Sequence, residues 1–263
     1  MNALPKTLRD TSDRRRQISV MVKERGSVQV ASLVEMFSVS AQTIRKDLKY
    51  LSDRGIATRS YGGAISADVI GLMTEPAIES KRSTRTVEKE LIGKAAAAMV
   101  RPGESILLDS GTTTLQIARY LPDTDDITVV TNDFGVLSVL ANKTRINVVV
   151  LGGVLRRRSL AFFGGQAEAG IDGLFVDRLF LGVDGFHLEN GITTHFEPEA
   201  VLNRKMARVA RQIVAVTDSS KFGRTCLHRI IGVDEIHTLI TDSGAPDYVR
   251  QPGTPLNYQV IIV

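Results

Sequence analysis

Residues 38–66, Ser-Val-Ser-Ala-Gln-Thr-Ile-Arg-Lys-Asp-Leu-Lys-Tyr-Leu-Ser-Asp-Arg-Gly-Ile-Ala-Thr-Arg-Ser-Tyr-Gly-Gly-Ala-Ile-Ser, constrain the fold of this chain more than any other stretch. Ile44, Leu48 and Leu51 recur at i, i+4 and i+7, which makes one apolar stripe on a helix. Ser40 stands where its hydroxyl can accept an orphan backbone N–H at the helix start, and Gly55 stands where such a helix ends. Gln42, Arg45, Lys46 and Lys49 fall on the opposite side. Residues 56–59 and 64–66 can pair as strands around Gly62-Gly63. Upstream, Ile18, Met21 and Val22, then Leu33, Val34 and Phe37, supply two further short amphipathic helices. Phe37-Ser38-Val39-Ser40 joins the second helix to the third with a turn of helix-turn-helix length. Taken alone, a Gln/Arg/Lys face is an ordinary solvated helix face. Three helices and a hairpin in this order instead predict a winged helix-turn-helix, whose third helix can reach base edges and phosphates in a major groove.

Charge separates this module from the rest. Residues 1–66 hold 12 Lys/Arg and 6 Asp/Glu, a balance of +6, while the remainder hold 21 and 23, a balance of −2, which together reproduce the net +4. The basic character therefore belongs to the N-terminal quarter, and it points to nucleic acid or another anionic surface. A membrane surface fits less well, because the basic helices also carry a complete core stripe. A length of 263 residues suggests about two domains. Mean hydropathy is +0.02, and no apolar run approaches the roughly 20 residues of a transmembrane helix. Met1 to Arg16 contains no hydrophobic signal core. The single cysteine, Cys226, cannot form an internal disulfide, and no Cys/His cluster has zinc spacing. These features predict a cytoplasmic protein with no structural metal and no cofactor.

Residues 67–82, interrupted by Gly71 and Pro76, read as a linker. From residue 83 the pattern changes. Apolar strands at 105–108, 127–130, 146–151, 178–181, 212–216 and 238–240 alternate with helices at 88–99, 134–141 and 198–211 and one that follows residues 109–114 and runs through 120. Such alternation predicts a largely parallel α/β sheet over residues 83–263. Ligands of these sheets bind beyond the carboxyl ends of the strands.

Several polar segments fall at those ends. Asp109-Ser110-Gly111-Thr112-Thr113-Thr114 lies between a strand and a helix. There Gly111 permits close backbone approach, and the free amides of the helix start, with the Ser and Thr hydroxyls, can cradle a phosphate. An ordinary capped strand-to-helix turn has the same composition. It is not a Walker A loop, since no lysine follows at the required spacing. Thr131-Asn132 can meet a hydroxyl or phosphate, or cap the helix that follows. Gly152-Gly153 permits a tight turn near a ligand. Asp184 can accept sugar hydroxyls, and Lys221 can neutralise a phosphate or simply face solvent.

The N-terminal module resembles that of the DeoR-type bacterial transcriptional regulators. The matching residues run from Arg14-Arg15-Arg16-Gln17-Ile18 through Gly26-Ser27-Val28, Leu33-Val34-Phe37-Ser38-Val39-Ser40 and Thr43-Ile44-Arg45-Lys46-Asp47-Leu48 to Arg59-Ser60-Tyr61-Gly62-Gly63-Ala64. The strand-end segments, in their order, resemble the sensor domain of the same family. That resemblance implies a ribose-5-phosphate-isomerase-like fold and a phosphorylated sugar as effector. It implies that Asp109–Thr114 holds phosphate, and that Thr131, Asn132, Gly152, Gly153, Asp184, Thr193, Thr194, Glu199 and Lys221 surround the sugar. Arg156-Arg157-Arg158-Ser159, Gln166-Ala167-Glu168 and Leu227-His228-Arg229 look most like repressors of amino-sugar catabolism, such as that of N-acetylgalactosamine. His195 and Asn203 stand where many members carry Pro and Lys.

The two readings imply a repressor built from a DNA-binding domain (1–66), a linker (67–82) and a sugar-phosphate sensor (83–263). Gln42, Thr43, Arg45 and Lys46, with Ser40 at the helix start, would lie near bases. Lys49, Arg59 and Tyr61, the wing glycines Gly62 and Gly63, and Arg14 to Arg16 would hold the DNA backbone. A homodimer or homotetramer reading repeated half-sites is expected. The competing class is a sugar-phosphate isomerase or deaminase, for which Asp184, Glu197 or Glu199 would supply a base. That class leaves the winged module unexplained.

Overall fold

A computed structural model describes residues 11–25, 27–54, 56–60, 62–66, 75–123, 126–250 and 257–263. The chain divides into two compact units, Met1–Thr74 and Glu75–Val263.

In the first unit, helix Thr11–Arg25 leads through strand β1 (Ser27–Gln29) into helices Val30–Phe37 and Ala41–Asp53. Strands β2 (Ala57–Ser60) and β3 (Gly63–Ser66) follow, and the sheet order is β1-β3-β2, antiparallel throughout. Ser38 turns the chain in the left-handed region, φ 51° and ψ 42°, between the second and third helices. Ser40 caps the third helix by accepting from the Thr43 amide at 3.1 Å. Ile18, Val22, Leu33, Phe37, Ile44, Leu48 and Leu51 form one core, closed by Ala57 and Ala64. The expected helices and hairpin are therefore present. The strand β1 was not anticipated. It needs Gly63, because a Cβ there would lie 2.1 Å from the Val28 carbonyl oxygen. Gly55 and Tyr61 lie outside the described residues.

The second unit is built on a seven-stranded parallel sheet. Its strands are β4 (Ser105–Leu108), β5 (Thr128–Thr131), β6 (Asn147–Val150), β9 (Val176–Gly182), β12 (Ala210–Val216), β14 (Thr238–Thr241) and β15 (Gln259–Ile262), in the order β15-β14-β12-β9-β4-β5-β6. Side chains alternate across the sheet and fill two cores. Ile106, Leu108, Phe180, Val214 and Ile240 face helices Thr86–Ala97, Thr112–Tyr120 and Phe134–Leu140. Leu107, Leu179, Leu181, Ala215 and Leu239 face helices Gly165–Ile171 and Glu197–Val209. Burial on both faces explains why these strands read as unbroken apolar runs. A hairpin of β7 (Val154–Arg156) with β8 (Ala161–Phe163), and a small sheet of β10 (Gly185–His187), β11 (Gly191–Thr194) and β13 (His228–Ile231), complete the unit.

The chain runs outward from β4 to β5 and β6, then returns to the other side of β4 as β9. The β4/β9 pair is the point where strand order reverses, the place where open parallel sheets offer a crevice. One expectation is corrected here. Residues 67–74 lie outside the described residues, but Glu75–Ser83 is not a linker. It belongs to the second unit, with a short helix at Ile78–Ser83 whose first residue, Ile78, is buried.

Candidate functional site

A cavity of about 250 Å³ opens at the carboxyl ends of β4, β9 and β12. Its floor is the turn after β4. The helix Thr112–Tyr120 starts at Gly111, which has φ 153° and gives no side-chain cap. The amides of its first turn have no intrahelical acceptor, and Ser110, Gly111, Thr112 and Thr113 line the space they face. Lys81, Lys89, Lys221 and Arg224 bring four cations to the same walls. A helix start and ammonium groups are the kind of surroundings that favour an anion. Asp184 and Glu199 line the same cavity.

Buried groups hold the β4 turn. Asp109 is 1% exposed and accepts from the Ser110 amide at 2.6 Å and the Gly182 amide at 3.2 Å. Burial raises its carboxyl to about 7, against those amides. Asp133 caps the helix Phe134–Leu140 through Val136 N–H at 2.8 Å and receives Gly111 N–H at 3.2 Å; burial lifts it to about 6. Asn203 is fully buried near Asp109 with no amide atom in hydrogen-bond geometry.

The two cavity carboxyls, Asp184 and Glu199, shift in opposite directions. Burial alone would raise Asp184, but Lys81, whose Nζ lies 2.7 Å from its Oδ1, and the nearby Lys221 hold it below the ordinary carboxylate range. Glu199 is raised well above its ordinary value by burial and by the neighbouring charges of Asp184 and Asp109. Asp184 is thus shifted toward the charged form and Glu199 toward the neutral one. Lys89 is 5% exposed and donates to the carbonyls of Lys81 and Thr84 at 2.6 and 2.7 Å; burial depresses its ammonium.

Of the anticipated pocket residues, Ser110, Gly111, Thr112, Thr113, Asp184, Glu199 and Lys221 line this cavity. The others do not. Asp109 lies beneath it, and Thr114 gives its hydroxyl to the Gly111 carbonyl at 3.0 Å. Thr131 donates to the Leu108 carbonyl at 2.8 Å, and Asn132 donates to the Phe162 carbonyl at 3.2 Å. Thr193 accepts from the Cys226 amide at 2.8 Å, and Thr194 donates to Asp184 at 3.4 Å. Gly152 and Gly153 start the β7–β8 hairpin, where a Cβ on Gly153 would lie 2.5 Å from the Phe163 carbonyl oxygen. For Asp109, Thr114, Thr131, Asn132, Thr193 and Gly153, backbone groups claim the polar atom or the close approach first; Thr194 is instead held by the Asp184 carboxylate. Lys81, Thr84 and Lys89, on the stretch read as linker and the helix start after it, and Asp218 and Arg224 were not anticipated. The density of Lys and Thr between 81 and 89 was the available signal.

Two family models cover most of the chain. Residues 14–69 match the DeoR-like helix-turn-helix domain, and residues 84–243 match the DeoR C terminal sensor domain. The chain belongs to the DeoR family of transcriptional regulators. It is 44% identical, over 92% of its length and 90% of the relative's, to a protein of Escherichia coli O157:H7 named for repression of the aga operon. It is 35% identical, over 89% of each chain, to the HTH-type regulator YulB of Bacillus subtilis (strain 168). Among solved structures, ribose 5-phosphate isomerase A of Methanocaldococcus jannaschii overlaps 51% of this chain and 53% of its own, at 18% identity and TM-score 0.38. The DeoR membership sets aside the isomerase or deaminase alternative: the chain is a DNA-binding regulator.

On the DeoR-like helix-turn-helix, Gln42, Arg45, Lys46 and Lys49 are exposed on helix Ala41–Asp53, opposite the buried Ile44, Leu48 and Leu51. Thr43 shares a hydroxyl hydrogen bond with Ser40 at 2.9 Å, and Lys49 pairs with Asp53 at 2.9 Å. Gly62 turns β2 into β3 at φ +80°. Arg59 lies on β2, opposite Ala64. One anticipated DNA contact is corrected. Arg14 is only 4% exposed, and its Nε lies 2.7 Å from Oδ2 of Asp47, itself 1% exposed. Arg14 is a buried tie between the first and third helices, because the stripe of the first helix turns it toward Asp47. Arg15 binds the other oxygen of Asp47 at 2.7 Å and stacks on Tyr50, with Arg54 on the same ring, both 3.9 Å from its centroid. Arg16 is exposed beside Asp13.

Proposed function

We propose that this DeoR regulator represses an operon of carbohydrate catabolism, specifically of amino sugars, and that a phosphorylated sugar in the cavity releases it from operator DNA. The observation that carries the effector half is that the uncapped start of helix Thr112–Tyr120 lines one cavity together with Lys89, Lys221 and Asp184. A phosphate meets amides and ammonium groups there, and the sugar hydroxyls meet Asp184 and Glu199. The aga operon named in a relative supports the amino-sugar class.

The DNA half rests on the exposed Gln42, Arg45 and Lys46, with Thr43 and Ser40 at the helix start. Lys49, Arg16, Arg59, Tyr61 and the Gly62-Gly63 wing hold the phosphate backbone. The protein works in the cytoplasm as a homodimer or homotetramer, since one module of this size makes a small interface and symmetric operators match symmetric proteins.

Fluorescence anisotropy of labelled DNA from beside the protein's own gene, titrated at fixed salt with free and phosphorylated sugars, tests the reading. The expected result is specific binding released by one amino-sugar phosphate. Unchanged release in a Thr113→Ala/Lys221→Ala variant would place the phosphate elsewhere.

A further inference from the structure

Segment Glu75–Lys89 has two attachments at once. The first compact unit ends at Thr74, so the chain reaches that unit through Glu75. The same segment supplies a cavity wall through Ser80, Lys81, Thr84 and Lys89. Among the described residues, charged groups make most of its bonds to the rest of the second unit, Glu75 being met by both Arg156 and Arg158. Lys81 Nζ meets Asp184 Oδ1 at 2.7 Å, with both side chains largely buried. Glu75 meets Arg156 at 2.5 Å. The Ile78 amide donates to the Arg158 carbonyl at 3.0 Å. Lys89 braces the segment from within, through the carbonyls of Lys81 and Thr84.

The Lys81–Asp184 pair is the weak point of this arrangement, because both partners face the cavity. An anion seated on the Thr112–Thr113 amides draws the Lys81 ammonium toward it. A polyhydroxylated body beside that anion offers hydroxyl donors to Asp184. A ligand with both features re-pairs both halves of the ion pair, so neither buried charge is left alone. That ligand distinguishes the paired state from the opened one, which is the condition for shifting a population between them. A bare anion or a neutral sugar offers a new partner to one half only, and so favours the opened state less.

We propose that Lys81–Asp184 is a latch, opened by a ligand carrying both phosphate and hydroxyls, through which the cavity's occupancy is passed to Glu75–Lys89 and so to the chain leading to the DNA-binding unit. This rests on the reading of the cavity as the effector site.

Hydrogen exchange on the full chain, with galactosamine 6-phosphate, N-acetylgalactosamine 6-phosphate and glucosamine 6-phosphate as probes, separates the two claims. Slower exchange in Thr112–Tyr120 reports occupancy, and altered exchange in Glu75–Lys89 reports the latch. Both are expected with the same probe. In Lys81→Met, probe concentrations that saturate protection of Thr112–Tyr120 should leave Glu75–Lys89 unchanged. DNA release should then fall from the roughly five- to 150-fold range of allosteric coupling to less than about twofold. Protection of Thr112–Tyr120 in the wild type without any change in Glu75–Lys89 would overturn the latch and spare the cavity. Full probe-dependent DNA release by Lys81→Met would also overturn it. No protection of Thr112–Tyr120 by any probe would remove the cavity reading, and the latch with it.

Discussion

Replacing Asp47 by alanine should unfold the DNA-binding unit under conditions that leave the sensor unit intact. Asp47 is 1% exposed and receives Arg14 and Arg15, each through Nε at 2.7 Å. Arg14 is 4% exposed, so without Asp47 its guanidinium stays buried with no counter-charge. Removing one partner of a buried pair costs about 3–5 kcal/mol. A unit of 74 residues at about 0.05–0.15 kcal/mol per residue has roughly 4–11 kcal/mol in total. The loss is therefore a large share of its stability. With about 4 °C or more of midpoint shift per kcal/mol in a domain of this size, the first thermal transition should fall by at least about 12 °C. Calorimetry of the full chain would resolve that transition from the sensor's. The exposed pair Lys49–Asp53 is a control, since deleting it should cost less than about 0.5 kcal/mol. An Arg14→Met/Asp47→Leu double variant, which removes both charges, should recover much of the loss. A cost below about 1 kcal/mol for Asp47→Ala would show that Arg14 reaches water when unpaired, and the argument from burial would fail.

Three other outcomes follow from the same geometry. Arg45→Ala should weaken operator binding and relax its sequence preference, whereas Arg16→Ala should weaken binding evenly and lower its salt dependence by about one phosphate contact, both read by anisotropy across a salt series. Gly93→Ala should destabilise the sensor by about 1–3 kcal/mol in urea unfolding, because a Cβ there would lie 2.4 Å from Cβ of Gln116 and 2.8 Å from its carbonyl carbon on the neighbouring helix. Asp109, raised from 3.8 to about 7, and Asp133, raised to about 6, keep protons in the folded sensor that the unfolded chain releases near pH 4. The folded state binds more protons in that window, so stability contributed by these groups is present at low pH and lost as pH rises from about 4 to 7. Asp109→Asn should flatten that part of the profile of the sensor's thermal midpoint.

Local rules carried the sequence reading far in the first unit. An i, i+4, i+7 stripe, a serine cap and paired glycines depend on neighbours within a few residues, and each has its place in the structure. The helix Ala41–Asp53 and strand β4 are cases where propensity and burial agree. The hairpin β7–β8, the sheet β10-β11-β13 and edge strand β15 were not legible, because short strands take their identity from partners far along the chain. The cavity divides the same way. Ser110 to Thr113 could be found because a strand end, a glycine and a helix start are contiguous. Thr131 and Thr193 have the right chemistry, but buried backbone groups claim their hydroxyls.

The sequence alone determined the two-part organisation, the third helix of the helix-turn-helix with its polar face, the alternation that makes a parallel sheet, and the strand–glycine–helix turn after β4. These depend on periodicity, capping and charge, which are properties of neighbouring residues. Only the tertiary structure decided that Arg14 is a buried tie to Asp47, that Glu75–Lys89 supplies a wall of the cavity, and that the carboxyls of Asp184 and Glu199 shift in opposite directions. Those outcomes depend on which distant charges share a space shielded from water, where a 2.7 Å approach between Lys81 and Asp184, 103 residues apart, outweighs anything their neighbours in sequence dictate.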